Sequence, residues 1–319
     1  MQRAISLAAL RRAATALTVS QPQAQYSLRQ SAPLSSSAHR QWPLASAPSA
    51  NSLGFGAKTT MFFSVAAAAA TTLSQEAVAK EQHFHKFNDV VLYQYEACPF
   101  CNKVKAFLDY YKIPYKVVEV HPFSKKEIKW SEYKKVPILT VEGETLVNSS
   151  DIITPLFKKM NSEKSSGAVR SSEEEQWLGW VDDHLVHVLS PNIYRTTSEA
   201  LESFDYITTH GNFGYMDRLV AKYAGATAMY FVSKKLKKKY NITDERGALY
   251  QAAETWVDAL KDRPFLGGSE PNLADLAVFG VLRPIRYLRS GKDMIENTRI
   301  GDWYSRMEKM VGESSRITA

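Results

Sequence analysis

A chain of 319 residues, 45% of them hydrophobic, is long enough for two domains and can bury substantial cores. Its formal charge of +7 would suit nucleic acid, but the first 75 residues hold six of the 40 basic side chains and no Asp or Glu, so the rest sets 34 basic residues against 33 acidic ones. A nearly neutral body argues against the basic face that nucleic-acid binding requires.

Residues 1–57 open "MQRAISLAALRRAATAL" and are rich in Ala, Ser and Arg. Ile5, Leu7, Leu10 and Leu17 can line one face against Arg3, Arg11 and Arg12. This is the composition of an organelle transit peptide, with the mitochondrion as the expected destination. The polar stretch from Gln21 offers no cleavage context for a secretory signal. Residues 58–76 contain "TTMFFSVAAAAATTLSQ", apolar in the middle but at the lower length limit for a membrane span. They read equally as a membrane anchor, a helical linker or the end of the leader.

From Val90 the pattern becomes that of a folded unit over 88–160. "VVLYQY" is a β-branched and aromatic run suited to a buried strand. "PFCNKVKAFLDYY" places Val104, Phe107, Leu108 and Tyr111 at helical spacing, with Pro99 suited to the first helical position. "IPYKVVEV" predicts a second strand, and "KKEIKWSEY" a helix. "VPILTV" and "TLVNSS", separated by "EGE", predict two strands joined by a tight turn. "DIITPLFKKM" predicts a closing helix. The order β-α-β-α-β-β-α implies a parallel first pair and a terminal hairpin.

"NSEKSSGAVRSS" (161–172) reads as a linker. Strand signals fade over 173–319, which is expected to be all-helical. Ser172 with Glu175 suits a capping box, ahead of a face formed by Trp177, Trp180, Val181, His184, Leu185 and Val188. Further helices are expected around 213–239, over "DERGALYQAAETWVDAL", and over "PNLADLAVFGVLRPI" with Asn272 as cap and Asp275 three residues on. Small residues in "AGATAMYFV" suit close helix packing, and a subunit contact there would make the chain a homodimer. The lysines of "SKKLKKKY" suit the negative end of a helix.

The chemistry concentrates in "YEACPFCNKVKAFL" (95–108), which holds the only two cysteines. One CxxC supplies two ligands, so a four-ligand zinc site is excluded and no metal is expected. Intracellular thiols are kept reduced, which disfavours a structural disulfide. Thiol chemistry remains. Cys98 follows a strand and precedes Pro99 at a helix start, where free backbone N–H groups and the helix dipole favour a thiolate. Cys101 lies one turn on, near enough to resolve a mixed disulfide on Cys98. Pro137 stands just ahead of a predicted strand.

Residues 91–160, with CPFC, then VP, then "NSSDII", resemble a glutaredoxin-type or glutathione transferase N-terminal domain. "RPFLGGSEPNLADLAVFG" is similar to the glutathione transferase C-terminal domain. More narrowly, "CPFCNKVKAFLDYYKIPYKVVEV", "YKKVPIL", "LVHVLSPNIYRT", "EALESFDYI" and "KDRPFLGGSEPNLADLAV" resemble the membrane-associated prostaglandin E synthase type 2 family. The resemblance implies a thioredoxin-like domain followed by an all-α transferase-like domain, acting on a lipid endoperoxide with glutathione. It implies Cys98 as the essential thiol, Tyr95 as a nearby hydroxyl, and Cys101 as auxiliary. It implies a cis Pro137, with Phe100 and the Val136 backbone against glutathione. Asn148 and Ser149 fall on the γ-glutamyl subsite, and Asn148 replaces an acid for which Ser150 or Asp151 could compensate. It also implies haem beside glutathione, near His184 and His187, with Lys235 and Lys239 where the family has arginines. The alternatives are a glutaredoxin-like oxidoreductase using Cys98 and Cys101, and a non-enzymatic glutathione or haem binder.

Overall fold

The computed structural model describes residues 87–121, 124–161, 170–210 and 221–317. The leader 1–57, the segment 58–76 and linker residues 162–169 lie outside them. Strand β1 (Val91–Gln94) leads through the cysteine turn into α1 (Pro99–Tyr110) and β2 (Lys116–Glu119). Then come β3 (Ile138–Val141), β4 (Glu144–Val147) and α2 (Ser149–Asn161). The sheet order is β2-β1-β3-β4. β1 pairs parallel with β2 and antiparallel with β3, and β3 and β4 form the expected hairpin. Gly143 at φ +86 makes the turn, a conformation glycine adopts without Cβ strain. This is the thioredoxin-like order, and it sets α1 and α2 against a sheet core that includes Leu92, Val104, Phe107, Leu108 and Leu139.

The helix expected over "KKEIKWSEY" is a short 3₁₀ turn, Lys126–Ile128. Its backbone closes on i→i+3 bonds, from the Ile128 amide to Lys125 and from the Ser131 amide to Ile128. Side chains take carbonyls that a longer helix would need: Trp130 Nε1 donates to Glu127 O at 2.8 Å and Lys134 Nζ to Lys129 O at 3.0 Å.

The helical part begins at α3 (Ser172–Trp180), capped one residue earlier than expected. Ser171 is extended, and its Oγ accepts the Glu174 N–H at 3.1 Å. A π-turn, Val181–Leu185, joins α3 to α4 (Val186–Ile193). Next come α5 (Thr197–His210), a second π-turn (Ala221–Gly225) and α6 (Ala226–Lys239). Helices α7 (Glu245–Leu260), α8 (Leu273–Leu282), α9 (Arg289–Asn297) and α10 (Ile300–Val311) complete the described residues. Trp177, Trp256 and Trp303 form an edge-on column with centroids 5.4 and 5.3 Å apart. Among the described residues, no helix is long and apolar enough to cross a membrane.

Helix α8 is buried along its whole length and lies against α1. The Asn272–Asp275 capping box expected from the sequence is formed. Asp275 also accepts N–H bonds from Leu266 and Gly267 and from the Trp303 indole, so a fully buried carboxylate is saturated. At Gly280 a Cβ would stand 2.6 Å from Lys103 Cα and 2.7 Å from Asn102 O. Only glycine permits this approach of α8 to the helix that carries the cysteines.

Candidate active site

The end of β1 delivers the chain into a turn closed by the Cys98 N–H to Tyr95 C=O bond at 3.0 Å. Cys98 is the N-cap of α1, in extended conformation (φ −77°, ψ 120°), and Pro99 opens the helix. Asn102 ties this geometry down, its Nδ2 donating to Glu96 O at 2.7 Å and Cys98 O at 3.1 Å. Cys98 is half-buried and Cys101 fully buried.

The two thiols are unequal. The Cys101 thiol, then the backbone N–H groups of Cys101 and Phe100, favour the Cys98 thiolate and lower its pKa against the opposing cost of burial. Burial, then the neighbouring Cys98, push the Cys101 thiol well up. Of the two, Cys98 is the thiol whose surroundings favour the charged form, and Cys101 the one held protonated beside it.

Cys101, Val136 and Ile138 belong to one small buried cluster, against which Cys98, Tyr95 and Tyr133 pack. Burial raises the Tyr95 phenol, Cys98 adds to it, and the hydroxyl is buried without a partner. The Val136–Pro137 bond is cis. Continuing the β1–β3 register, in which Val91 faces Thr140 and Tyr93 faces Ile138, sets Val136 opposite Tyr95. Phe100, in the first turn of α1, is half-buried.

At the start of α2, Asn148 adopts φ +70° and its carbonyl accepts the Ile152 N–H. Its amide donates to exposed Asp151 at 2.9 Å. Ser149 is buried and its Oγ lacks a partner. An orphan hydroxyl at a helix start, beside free N–H groups, is the chemistry that takes a carboxylate. Ser149 and the Val136 backbone are the groups here that could hold a γ-glutamyl peptide such as glutathione. Ser150 faces elsewhere: it donates to Asp182 at 2.8 Å and accepts from Lys103 at 2.9 Å. Lys103, 2% exposed, also pairs with Asp182 at 2.7 Å. Of the two candidates for the missing acid, Asp151 is therefore the one beside Asn148.

His184 is exposed beside Trp180, while His187 stacks on Tyr240 with centroids 4.2 Å apart. Burial, then Lys239, lower the His187 pKa. Lys235 and Lys239 are exposed on α6. Among the described residues no group of three or more His, Cys, Asp and Glu is placed to hold a metal. With one histidine stacked on a tyrosine and the other in solvent, these residues do not fit haem, and no step below runs through it.

A family model described as "Glutathione S-transferase, N-terminal domain" matches residues 92–164, and one for the C-terminal domain matches 239–306. Prostaglandin E synthase 2 of Danio rerio is 44% identical over 69% of this chain and 70% of that protein. The chain belongs to the prostaglandin E synthase 2 family. The Mus musculus relative of the same name is 43% identical over 72% of each chain. Among solved structures, one of glutathione S-transferase III superposes with TM-score 0.48 at 16% identity, covering 69% of this chain and 92% of that one.

In this prostaglandin E synthase 2 family chain, two site residues escape local sequence reading. Tyr133, in the irregular segment before Pro137, has its phenol raised by burial and then by both cysteines. Tyr194, at the end of α4, is buried and within electrostatic reach of Cys98. No spacing rule links positions 95, 133 and 194. The fold packs Tyr95 and Tyr133 against the cysteine cluster and sets Tyr194 within electrostatic reach of Cys98.

Proposed function

We propose that the chain is a glutathione-binding thiol enzyme that isomerises a lipid endoperoxide through Cys98. The unequal thiol pair carries the reading, because it supplies a ready thiolate with a protonated phenol nearby. The names of the 44% and 43% identical relatives support the substrate class. The thiolate attacks one peroxide oxygen, forming an S–O bond as the O–O bond breaks. The other oxygen leaves as an alkoxide and takes the proton of Tyr95, which burial has kept on the phenol. Removal of the C–H proton beside the S–O oxygen, with the Tyr95 phenolate as acceptor, forms the ketone and expels the thiolate. The proton count closes and a hydroxy-ketone results. Glutathione lies alongside, held by Val136 and Ser149.

The contact of Cys101 with Cys98 favours a second reading, a glutaredoxin-like oxidoreductase in which Cys98 attacks a disulfide and Cys101 resolves it. One experiment separates the two: the full chain, Cys98→Ser and Cys101→Ser are each assayed on an endoperoxide and on a disulfide, with glutathione present. Cys98→Ser is expected to lose both activities by about 10³-fold or more. Cys101→Ser is expected to keep isomerisation within about threefold and lose dithiol turnover. Unchanged activity of Cys98→Ser on both substrates would remove this thiol from the mechanism. The acid-free leader supports delivery to the mitochondrion. A reporter fused to residues 1–57 that stayed in the cytosol would contradict that.

A further inference from the structure

A polar network lies beneath the cysteine turn, and the chemistry above does not use it. Glu119 ends β2 directly opposite Gln94 in the parallel register. Its Oε1 accepts the Glu96 backbone N–H at 2.8 Å, and its Oε2 accepts Gln94 Nε2 at 3.2 Å. The same Gln94 nitrogen donates to Glu96 Oε2 at 2.7 Å, and Lys105 Nζ donates to Glu96 Oε1 at 2.8 Å. Because the Glu96 carbonyl and the Cys98 carbonyl share Asn102, the bonds run unbroken from Glu119 to the helix start.

The charges within this network do not balance. Two carboxylates share one amide nitrogen and one ammonium, and the Cys98 thiolate adds negative charge nearby. Arg316, from the C-terminal tail, acts on Glu96. The groups that feel Glu119 from neighbouring elements are Glu96, Lys105, Cys98, Cys101 and Tyr95. The excess is relieved by a proton on Glu119, whose pKa burial pushes up to about 7.

We propose that Glu119 is a positioning residue for the Cys98 thiolate: it holds the Tyr95–Cys98 turn through the Glu96 amide. When charged it opposes the thiolate, so that Cys98 reactivity is graded by pH around neutrality. The inference rests on the thiolate chemistry proposed above. Below neutrality Glu119 is protonated and Cys98 gives up its proton more readily. As the pH rises and Glu119 ionises, the sulfur's proton affinity increases. The two losses are coupled, and the thiolate forms over a wider pH range than one proton requires.

The test is the rate of iodoacetamide alkylation at Cys98 of the full chain, followed by mass spectrometry from about pH 5 to about pH 9. Wild type is expected to give a curve broader than a one-proton titration. Glu119→Gln keeps an oxygen for the Glu96 amide and removes the charge. It is expected to sharpen the curve and move its midpoint down by about half a unit, making Cys98 about 1.5-fold more reactive at the wild-type midpoint. Glu96→Gln removes the competing carboxylate, so Glu119 should ionise earlier and the broad region should move to lower pH. Curves of either folded variant that superimpose on wild type would overturn the role of Glu119 and leave the thiolate standing. Alkylation of wild type only in the ordinary thiol range, about pH 8.5 and above, would overturn the thiolate and this proposal with it.

Discussion

Tyr95 carries a hydroxyl that is buried without a hydrogen-bond partner, so its removal costs the folded chain no bond. Tyr95→Phe should therefore leave the melting temperature unchanged or slightly raised. A general acid contributes about 10²-fold or more, so kcat for endoperoxide isomerisation should fall by at least that much. Steady-state kinetics and a thermal melt on one preparation check both halves. Full activity in the phenylalanine variant would make Tyr95 a packing residue. The position of Cys98 was legible because strand, CxxC, proline and helix are contiguous, and the chemistry of a helix start is local. The unpaired hydroxyls of Tyr95 and Ser149 were not, because burial is a property of the whole fold. Ser150 shows the same limit: once α2 forms, its hydroxyl bonds Lys103 and Asp182, while that of its neighbour Ser149 is buried and unpaired.

Helix α8 meets α1 at Gly280, where a Cβ would strike main-chain atoms of Asn102 and Lys103 that cannot swing aside. Glycine to alanine inside a helix ordinarily gains about 1 kcal/mol. Here overpacking should reverse the sign and cost about 1–3 kcal/mol. Urea unfolding of Gly280→Ala measures this, and a stabilised variant would show that the helices have room to part. The strands, the parallel first pair and the terminal hairpin were legible from β-branched runs and the "EGE" turn, whereas the antiparallel β1–β3 pairing that joins them was not. The 3₁₀ turn at Lys126–Ile128 was not, because the competition for its carbonyls comes from the side chains of Trp130 and Lys134. The shift of the α3 cap from Ser172 to Ser171 has a simple cause. Adjacent serines are chemically equal, and only backbone conformation chooses between them.

Across the molecule, the C-terminal tail returns to the thioredoxin-like sheet. Ser314 Oγ and the Ser315 N–H donate to Asp109, at 3.0 and 2.9 Å, and Asp109 is fully buried. Tyr115 exchanges backbone bonds with the tail, its N–H to Ser315 O and its C=O from the Ile317 N–H. Arg283, in the turn after α8, closes the shell with a 2.8 Å ion pair to Asp109. A chain ending at Val311 would leave this carboxylate short of two donors. Hydrogen bonds to charged groups are worth about 1.5–3 kcal/mol each, so a loss of about 3 kcal/mol is expected by urea titration. A truncated chain as stable as the full one would mean that water replaces both donors at no cost. No local pattern announces this arrangement, which joins residues 205 positions apart. The two-domain order, by contrast, was legible from the change of periodicity near residue 161.

The tail's return also bears on the order of events during synthesis. The α/β unit leaves the ribosome before the helical part, with Asp109 already in the last turn of α1 and its partners Ser314 and Ser315 still untranslated. Until Ser314 and Ser315 emerge, that helix carries a charge its final surroundings are built to satisfy but have not yet supplied. Cys98, the N-cap of that helix, sits eleven residues upstream. The cysteine turn is thus held on an unfinished helix until the tail closes on Asp109, and that interval is when a nascent chain should be most open to oxidation or chaperone capture.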